Sequence, residues 1–190
     1  MVEILSFVLL FLLIALVVGR VLMLRRRGIN VFLFGATDKS DFILMPLMLF
    51  MLYVVLSAIF PLPLPPILVY RFWQAIVLSW LGLAICFLSL LWFAMTLISF
   101  GESFRVGIDK QAPDKLVTAG MFALSRNPLY IGLLCFMLGM FLIYPNLSML
   151  IFIVLFAAAI HRQILREEKF LRTRYGKAYE DYAQKVGRYF

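Results

Sequence analysis

The residues best suited to chemistry lie in two short polar stretches of this sequence. The first is the junction Ser125-Arg126-Asn127-Pro128. Asn is a preferred helix N-cap and Pro is favoured at the first helical position, so a helix is expected to begin at Pro128. The amide donors at such a helix start favour an anion, and a neighbouring guanidinium can bind a carboxylate through two hydrogen bonds. An ordinary capped helix with Arg126 facing solvent or lipid phosphate explains this stretch equally and is the simpler interpretation of it alone.

The second polar stretch contains the acidic pair Glu167 and Glu168 and the only histidine, His161. His161 and Glu168 are seven residues apart, which places them on one face of a helix. Two adjacent carboxylates are suited to binding an ammonium group. For an isolated helix, an exposed i,i+4 pair between Glu168 and Arg172, worth about 0.2–0.5 kcal/mol, is the favoured interpretation. His161 could act as a general base, but a hydrogen-bonded residue at a membrane boundary is the more common role.

The composition indicates what kind of scaffold must position these residues. Of 190 residues, 64% are hydrophobic and 15% are charged, whereas a soluble domain has roughly 45–50% apolar and about 25% charged residues. A single globular core of this size cannot bury that excess, which excludes a soluble enzyme, a disordered chain and a disulfide-rich secreted module. Cys86 and Cys135 lie inside apolar runs without metal-ligand spacing, so no metal is expected.

Apolar stretches of about 20 residues predict the membrane crossings. Residues 4–24, 42–60 and 75–100 each form one such stretch. The apolar block 129–160 is too long for one helix and is interrupted by Tyr144-Pro145-Asn146, a turn signal, so a tight helical hairpin is expected there. The expected fold is an all-α integral membrane protein with about five transmembrane helices, of which the last two form the hairpin.

The basic residues predict how the chain is oriented. Sixteen of the 18 Lys and Arg residues lie in the links 25–41 and 101–128 and in the tail 161–190, whereas only Arg71 lies on the opposite side. By the positive-inside rule, these three segments face the cytoplasm and the N-terminus faces outside. We see no signal-peptide pattern, so a prokaryotic inner membrane is the simplest location. Membrane lipids, rather than nucleic acid, are the expected partners of this charge.

The two long cytoplasmic segments have the composition of ordered structure. Segment 101–128 mixes apolar residues with glycines and isolated charges, which favours an ordered loop against the membrane face. The fifth helix is expected to run beyond the membrane and to end at Gly176. A spaced row of Tyr175, Tyr179, Tyr182 and Val186 then predicts a short amphipathic helix at the headgroups. Stacking of a purine on these rings has no support from spacing alone.

Three segments together resemble the isoprenylcysteine carboxyl methyltransferase family, which belongs to a wider group with the small phospholipid N-methyltransferases. They are LVTAGMFALSRNPLYIG (116–132), HRQILREEKFLRTRYG (161–176) and YEDYAQKVGRYF (179–190). The family pattern is Leu-Val-x-x-Gly-x-Tyr/Phe, Arg-His-Pro-x-Tyr-x-Gly, a helical hairpin, Glu-Glu and Tyr-Gly-x-x-Tyr-x-x-Tyr. The first three helices match only as apolar spans. Asn127 stands where the family has a histidine, and it can donate a hydrogen bond but cannot titrate.

The resemblance implies an enzyme that binds S-adenosylmethionine (SAM) in a cytosolic cofactor-binding loop and methylates a lipophilic acceptor arriving from the membrane. Within one domain, residues 1–100 would supply three helices and residues 101–190 the SAM-binding core. The carboxylate of SAM suits Arg126, and its ammonium suits the Glu167/Glu168 pair. Arg126 and Glu168 are the candidate catalytic residues. The candidate cofactor-binding residues are Leu116, Val117, Gly120, Phe122, Arg126, Asn127, Pro128, Tyr130, Gly132, His161, Glu167 and Glu168.

Two other functions remain open from the sequence. The carboxyl-terminal region of the membrane sterol reductases resembles the same pattern and uses NADPH, although those chains are longer and have more helices. The alternative is a non-catalytic membrane protein that binds lipid or acts as a scaffold. An inactive relative would be expected to lose Arg126 or the acidic pair, and both are present. The methyl acceptor could be a carboxylate, an amine, a hydroxyl or a thiol.

Overall fold

A computed structural model describes residues 1–28, 44–60, 62–103 and 116–190. Regular structure in these ranges is helical, apart from one bridge between Arg71 and Asn146. The helices are α1 (Val2–Arg26), α2 (Leu44–Ile59), α3 (Pro66–Val69), α4 (Ile76–Phe100), α5 (Pro128–Ile143), α6 (Leu147–Tyr175) and α7 (Lys177–Lys185).

Five of these helices are apolar, as predicted. Helices α1, α4 and α6 are long and apolar enough to cross a membrane, and α2 and α5 are shorter apolar helices. The 16 residues of α5 reach about 24 Å at 1.5 Å per residue, less than the roughly 30 Å hydrocarbon core. The all-α integral membrane fold is confirmed, and each predicted span lies within a few residues of a helix.

The hairpin between α5 and α6 forms where the Pro-Asn pair predicts it. Helix α5 ends at Ile143, and Asn146 is the N-cap of α6, its Oδ1 accepting a hydrogen bond of 2.9 Å from the Met149 amide. The carbonyl of Pro145 accepts from the Phe72 amide at 2.7 Å, which ties the turn to the segment before α4. At the other end, α6 stops at Gly176 with φ +51°, as expected for a terminating glycine.

Small residues allow α4 and α5 to pack closely against each other. A Cβ atom added to Gly139 would lie 2.6 Å from Cys86 Sγ and 2.7 Å from the carbonyl of Gly82. Such near approach of backbones is characteristic of small residues at membrane helix interfaces. The pair α4–α5 therefore forms a rigid support for the chain that enters α5.

Polar contacts mark the two ends of the bundle. Glu3 and Arg71 form an ion pair of 2.6 Å beside the hairpin turn, where the hydroxyl of Tyr144 lies 2.8 Å from Ser6 Oγ. At the opposite end Arg20 donates to the carbonyl of Gly101, the C-cap residue of α4. This opposite end also carries the chain before α5.

Some sequence predictions lie outside the described residues. They concern most of the basic link 25–41 and the middle of the loop 101–128, of which 104–115 are not described. The proline-rich connector, described from residue 62 onward, leads into α3, a short helix that the sequence analysis did not predict.

Candidate functional site

The turn before α5 connects three parts of the chain through Asn127. Helix α5 begins at Pro128 with Asn127 at its N-cap position, as predicted. The Asn127 side chain makes no capping hydrogen bond; its Nδ2 instead donates to Glu168 Oε1 at 3.2 Å and to the Arg188 carbonyl at 3.1 Å. The Asn127 amide donates to Ser125 Oγ at 3.0 Å. Asn127 thus joins the start of α5 to α6 and to the C-terminal segment.

The carboxylate of Glu168 is buried and held by arginine. Its side chain is 7% exposed, and Arg188 donates from Nη2 to Oε2 at 2.9 Å and from Nε to both oxygens at 3.1 Å. The Nη2 atom of Arg126 lies 3.6 Å from Oε1. Arg188, rather than the i,i+4 neighbour Arg172, is the principal partner described for Glu168. The hydrogen bond to Glu168 raises the pKa of the Arg188 guanidinium, which therefore remains charged.

Arg126 is buried beside this carboxylate. Its side chain is 11% exposed, its Nη1 donates to the Tyr179 hydroxyl at 3.2 Å, and its guanidinium carbon lies 5.9 Å from the centre of that ring. Its backbone amide donates to the carbonyl of Gly187 at 3.0 Å. Among the described residues, nothing accepts a hydrogen bond from its buried Nε. A buried donor of this kind is unfavourable unless an acceptor is supplied.

Helix α7 covers the site with two buried tyrosines. The hydroxyl of Tyr182 donates to the carbonyl of Phe122 at 2.6 Å, and burial raises the pKa of Tyr182 to about 12. Burial also raises the pKa of Tyr179. Both phenols are therefore protonated donors at neutral pH. The predicted amphipathic helix is present, but Tyr179 and Tyr182 face the protein interior rather than headgroups.

Glu167 belongs to a different hydrogen-bond group from Glu168, although the two are adjacent in the sequence. Its Oε1 accepts from the Tyr130 hydroxyl at 2.5 Å and from Gln163 Nε2 at 2.9 Å. Tyr130 lies on α5 and Gln163 on α6, so Glu167 links the two arms of the hairpin. The acidic pair therefore presents two carboxylates with separate partners.

His161 lies with the C-terminal residues and not with the Arg126–Glu168 pair. Its Nδ1 is 2.7 Å from the Tyr189 hydroxyl, and the two rings stack with centres 6.3 Å apart. The next residue, Phe190, contacts Trp92 edge-on at 6.4 Å. Trp92 in turn donates to the carbonyl of Pro128 at 2.8 Å. Residues 187–190 thus contact α4, the start of α5 and α6.

The candidates before Arg126 are packed on the end of α4. Gly120 has φ +64°, and a Cβ atom added there would lie 2.5 Å from Ser99 Oγ. The ring of Phe122 contacts Phe100 edge-on at a centre distance of 4.6 Å. These contacts fix the chain that leads into the turn at Arg126, so Gly120 and Phe122 position the site through α4.

Three further candidates have apolar surroundings. Gly132 is buried, and a Cβ atom added to it would lie 3.1 Å from Trp92 Cδ1, so it serves the close packing of α5 on α4. Leu116 and Val117 are half-buried in the extended chain before the short helical turn Gly120–Ala123. Their side chains can supply apolar contacts only.

The sequence analysis missed Arg188, which contacts the predicted residues Asn127 and Glu168. Ser125 was noted in the polar junction but was not among the candidate site residues; its Oγ donates to the Arg188 carbonyl at 3.2 Å. The available signal was the lone arginine between a glycine and two aromatic residues in Gly187-Arg188-Tyr189-Phe190. Within the part of the chain that the structure describes, no group of His, Cys, Asp or Glu is arranged to hold a metal ion.

The structure is that of a helical membrane protein with a buried arginine–glutamate cluster at one end. Residues 70–178 match the model of the phospholipid methyltransferase family. This match covers more than half of the chain, so the protein belongs to that family, as the resemblance in the sequence indicated. Arg188 lies beyond the matched residues.

Named relatives agree with this assignment. The chain is 32% identical over 111 residues to proteins of two rice subspecies, Oryza sativa subsp. indica and subsp. japonica, each named probable protein-S-isoprenylcysteine O-methyltransferase. These matches cover 57% of this chain and 58% of each relative. It is also 32% identical over 93 residues to protein-S-isoprenylcysteine O-methyltransferase B of Arabidopsis thaliana, covering 47% of each chain. The chain therefore spans about half the length of these curated relatives.

Proposed function

We propose that this protein transfers a methyl group from S-adenosylmethionine to a lipophilic acceptor that reaches the site from the membrane. Membership of the phospholipid methyltransferase family supports methyl transfer. The observation that carries the proposal is the buried guanidinium of Arg126, whose Nε has no acceptor among the described residues. SAM supplies a methyl group already activated on a sulfonium, so the protein's contribution is to bind, orient and desolvate the reactants.

The charged residues at the site fit the two ends of the amino-acid part of SAM. Arg126 would receive the carboxylate, because its Nε is a buried donor and its side chain is largely shielded from water, which strengthens the attraction. Glu167 would receive the ammonium group. Glu168 is less suited to that contact, because the guanidinium of Arg188 already neutralises its carboxylate. In this proposal Glu168 is a positioning residue, not a catalytic one.

The other candidate residues would shape the binding site. Asn127 and Pro128 hold the turn that carries Arg126, and Tyr130 holds Glu167. Gly120 and Phe122, with Leu116 and Val117, would form the wall on the side of α4, and Gly132 would keep α5 close to α4. His161 would lie at the acceptor side, next to the C-terminal residues. Residues 101–190 would thus form the core carried by α1, α2 and α4, the three apolar helices of residues 1–100.

The proposed acceptor is lipophilic because the site lies at the end of an apolar bundle. The relatives are named for methylation of isoprenylcysteine and the family for phospholipids, so a prenylated carboxylate and an amine headgroup are the two acceptor classes to test first. The distribution of basic residues favours placing the site on the cytoplasmic side, with the N-terminus outside.

Transfer of a labelled methyl group tests the proposal. Protein purified in detergent would be incubated with methyl-labelled SAM and either N-acetyl-S-farnesylcysteine, phosphatidylethanolamine vesicles or a total membrane lipid extract. We expect label in the organic phase for at least one acceptor, and its loss in Arg126→Ala. The matched control is Arg174→Gln, which removes an exposed charge at the end of α6. Absence of transfer to all three probes by folded wild-type protein would contradict the proposal, and NADPH binding would then be tested.

A further inference from the structure

Three charged side chains share one cluster at the cytoplasmic end of α6. They are Arg126, Glu168 and Arg188, with side-chain exposures of 11%, 7% and 38%. Two guanidinium groups therefore face a single carboxylate. A buried carboxylate needs at least one positive partner, but it does not need two. One of the two arginines can neutralise Glu168, and the other then retains donors that can bind a ligand.

The distances indicate that Arg188 is the arginine that neutralises Glu168. Its Nε and Nη2 both donate to Glu168, at 2.9–3.1 Å, in the fork geometry that makes arginine–carboxylate pairs strong. Arg126 approaches the same carboxylate only to 3.6 Å. Its Nη1 is directed to Tyr179, and its Nε has no acceptor in the described structure.

The backbone of the C-terminal segment holds Arg188 in place. The Arg188 carbonyl accepts from Ser125 Oγ at 3.2 Å and from Asn127 Nδ2 at 3.1 Å. The carbonyl of Gly187 accepts from the Arg126 amide at 3.0 Å. A Cβ atom added to Gly187 would overlap the main-chain oxygen of Phe190, so the segment turns tightly here. The residues flanking Arg126 thus hold the residue that neutralises Glu168.

We propose that Arg188 is a positioning residue for the methyl donor: by neutralising Glu168 it keeps Arg126 available for the donor's carboxylate. This inference rests on the proposed function. Without Arg188, the uncompensated carboxylate of Glu168 would attract the neighbouring guanidinium of Arg126, and the 3.6 Å contact would close. Arg126 would then be occupied by an internal anion, and the donor would bind more weakly.

The test is a double-mutant cycle read out by SAM binding. Arg188→Gln, Glu168→Gln and the double variant would be compared by calorimetry with wild type and with Arg174→Gln in the same detergent. We expect Arg188→Gln to weaken SAM binding at least about tenfold while kcat at saturating SAM changes less than about threefold. Removing the carboxylate as well should restore affinity to within about threefold of wild type, because no internal anion then competes for Arg126.

A purely structural role for Arg188 predicts a different pattern. The double variant would then bind no better than Arg188→Gln, and that result would overturn the inference. Wild-type affinity in Arg188→Gln would overturn it as well. If Arg188→Gln does not fold, Arg188→Lys replaces it, because lysine keeps the charge and lacks the fork. Arg188→Lys should bind SAM a few-fold more weakly, and unchanged affinity would overturn the inference. Failure of wild type to bind SAM would instead refute the proposed function.

Discussion

The guanidinium of Arg188 binds the carboxylate of Glu168 through both Nε and Nη2, although the two residues are 20 positions apart in the chain. This contact joins the C-terminal segment to the acidic pair on α6. The same segment accepts hydrogen bonds from the turn before α5 through its carbonyls. The last residues of the sequence are therefore an integral part of the candidate site.

Neutralising Glu168 should destabilise the protein measurably. Glu168→Ala leaves Arg126 and Arg188 next to each other without their counter-charge, and breaking a buried ion pair typically costs about 3–5 kcal/mol. Because Arg188 is partly exposed, we expect a loss of about 2–3 kcal/mol in unfolding free energy, measured by denaturant titration in detergent. Glu180→Ala, on the exposed face of α7, is the control and should change stability by less than about 0.5 kcal/mol. Equal effects of the two substitutions would refute this prediction.

Adding a methyl group at the α4–α5 contact should separate these helices. Gly139→Ala places a Cβ atom 2.6 Å from Cys86 Sγ and 2.7 Å from a backbone oxygen, which cannot be relieved without moving a helix. Overpacking of this kind destabilises by about 1–3 kcal/mol, so the thermal midpoint in detergent should fall. Gly19→Ala is the matched control on α1, because nothing lies within 4 Å of its added Cβ atom. A midpoint that falls equally in both variants would show that α4 and α5 are not in close contact.

The hydrogen bond from Tyr130 to Glu167 should support donor binding. Tyr130→Phe removes a donor at 2.5 Å from a carboxylate, a contact worth about 1.5–3 kcal/mol when one partner is charged. We expect the KM for SAM to rise about tenfold, with kcat little changed, in steady-state methyl transfer. Tyr70→Phe, at an exposed position before α4, is the control and should leave both constants unchanged. A wild-type KM in Tyr130→Phe would exclude a role for this hydrogen bond in donor binding.

Impermeant thiol labelling tests the orientation proposed from the basic residues. The background is Cys135→Ser, in which the remaining Cys86 is buried. In intact cells, Lys185→Cys on α7 should not react with the impermeant thiol reagent. Tyr70→Cys, at an exposed position near the hairpin turn, should react with it. Both should react after the membrane is permeabilised. The reverse pattern would place the tail outside and contradict the orientation.

Local signals were sufficient to predict the five apolar helices and α7, although not the short helix α3, because each of these signals depends on neighbouring residues. Apolar length predicted the spans, Pro145 the break between α5 and α6, and Pro128 the start of α5. Gly176 ends α6 because the chain there adopts a positive φ, which glycine accommodates without steric cost. Helix ends and apolar spans depend on local backbone preferences and hydropathy, and both can be determined from neighbouring residues in the sequence.

The site contacts could not be predicted in the same way, because they join distant residues. Asn127 occupies the predicted N-cap position, but its side chain reaches Glu168 and the Arg188 carbonyl, 41 and 61 residues away. These two acceptors orient the side-chain amide through its Nδ2, and sequence spacing contains no information about them. For the same reason the sequence indicates the local partner Arg172 for Glu168 and contains no signal for the contact with Arg188.

The assignment of the methyl donor's carboxylate to Arg126 is tested by calorimetry of SAM binding in detergent. We expect micromolar binding by wild type and unchanged binding by Arg174→Gln. Arg126→Ala should bind at least a hundredfold more weakly, because it removes a buried charged donor worth about 3 kcal/mol. All three proteins must remain folded, as shown by helical content and elution volume. Wild-type affinity in folded Arg126→Ala would contradict the assignment of the donor's carboxylate to Arg126, and no binding by wild type would contradict the methyltransferase proposal itself.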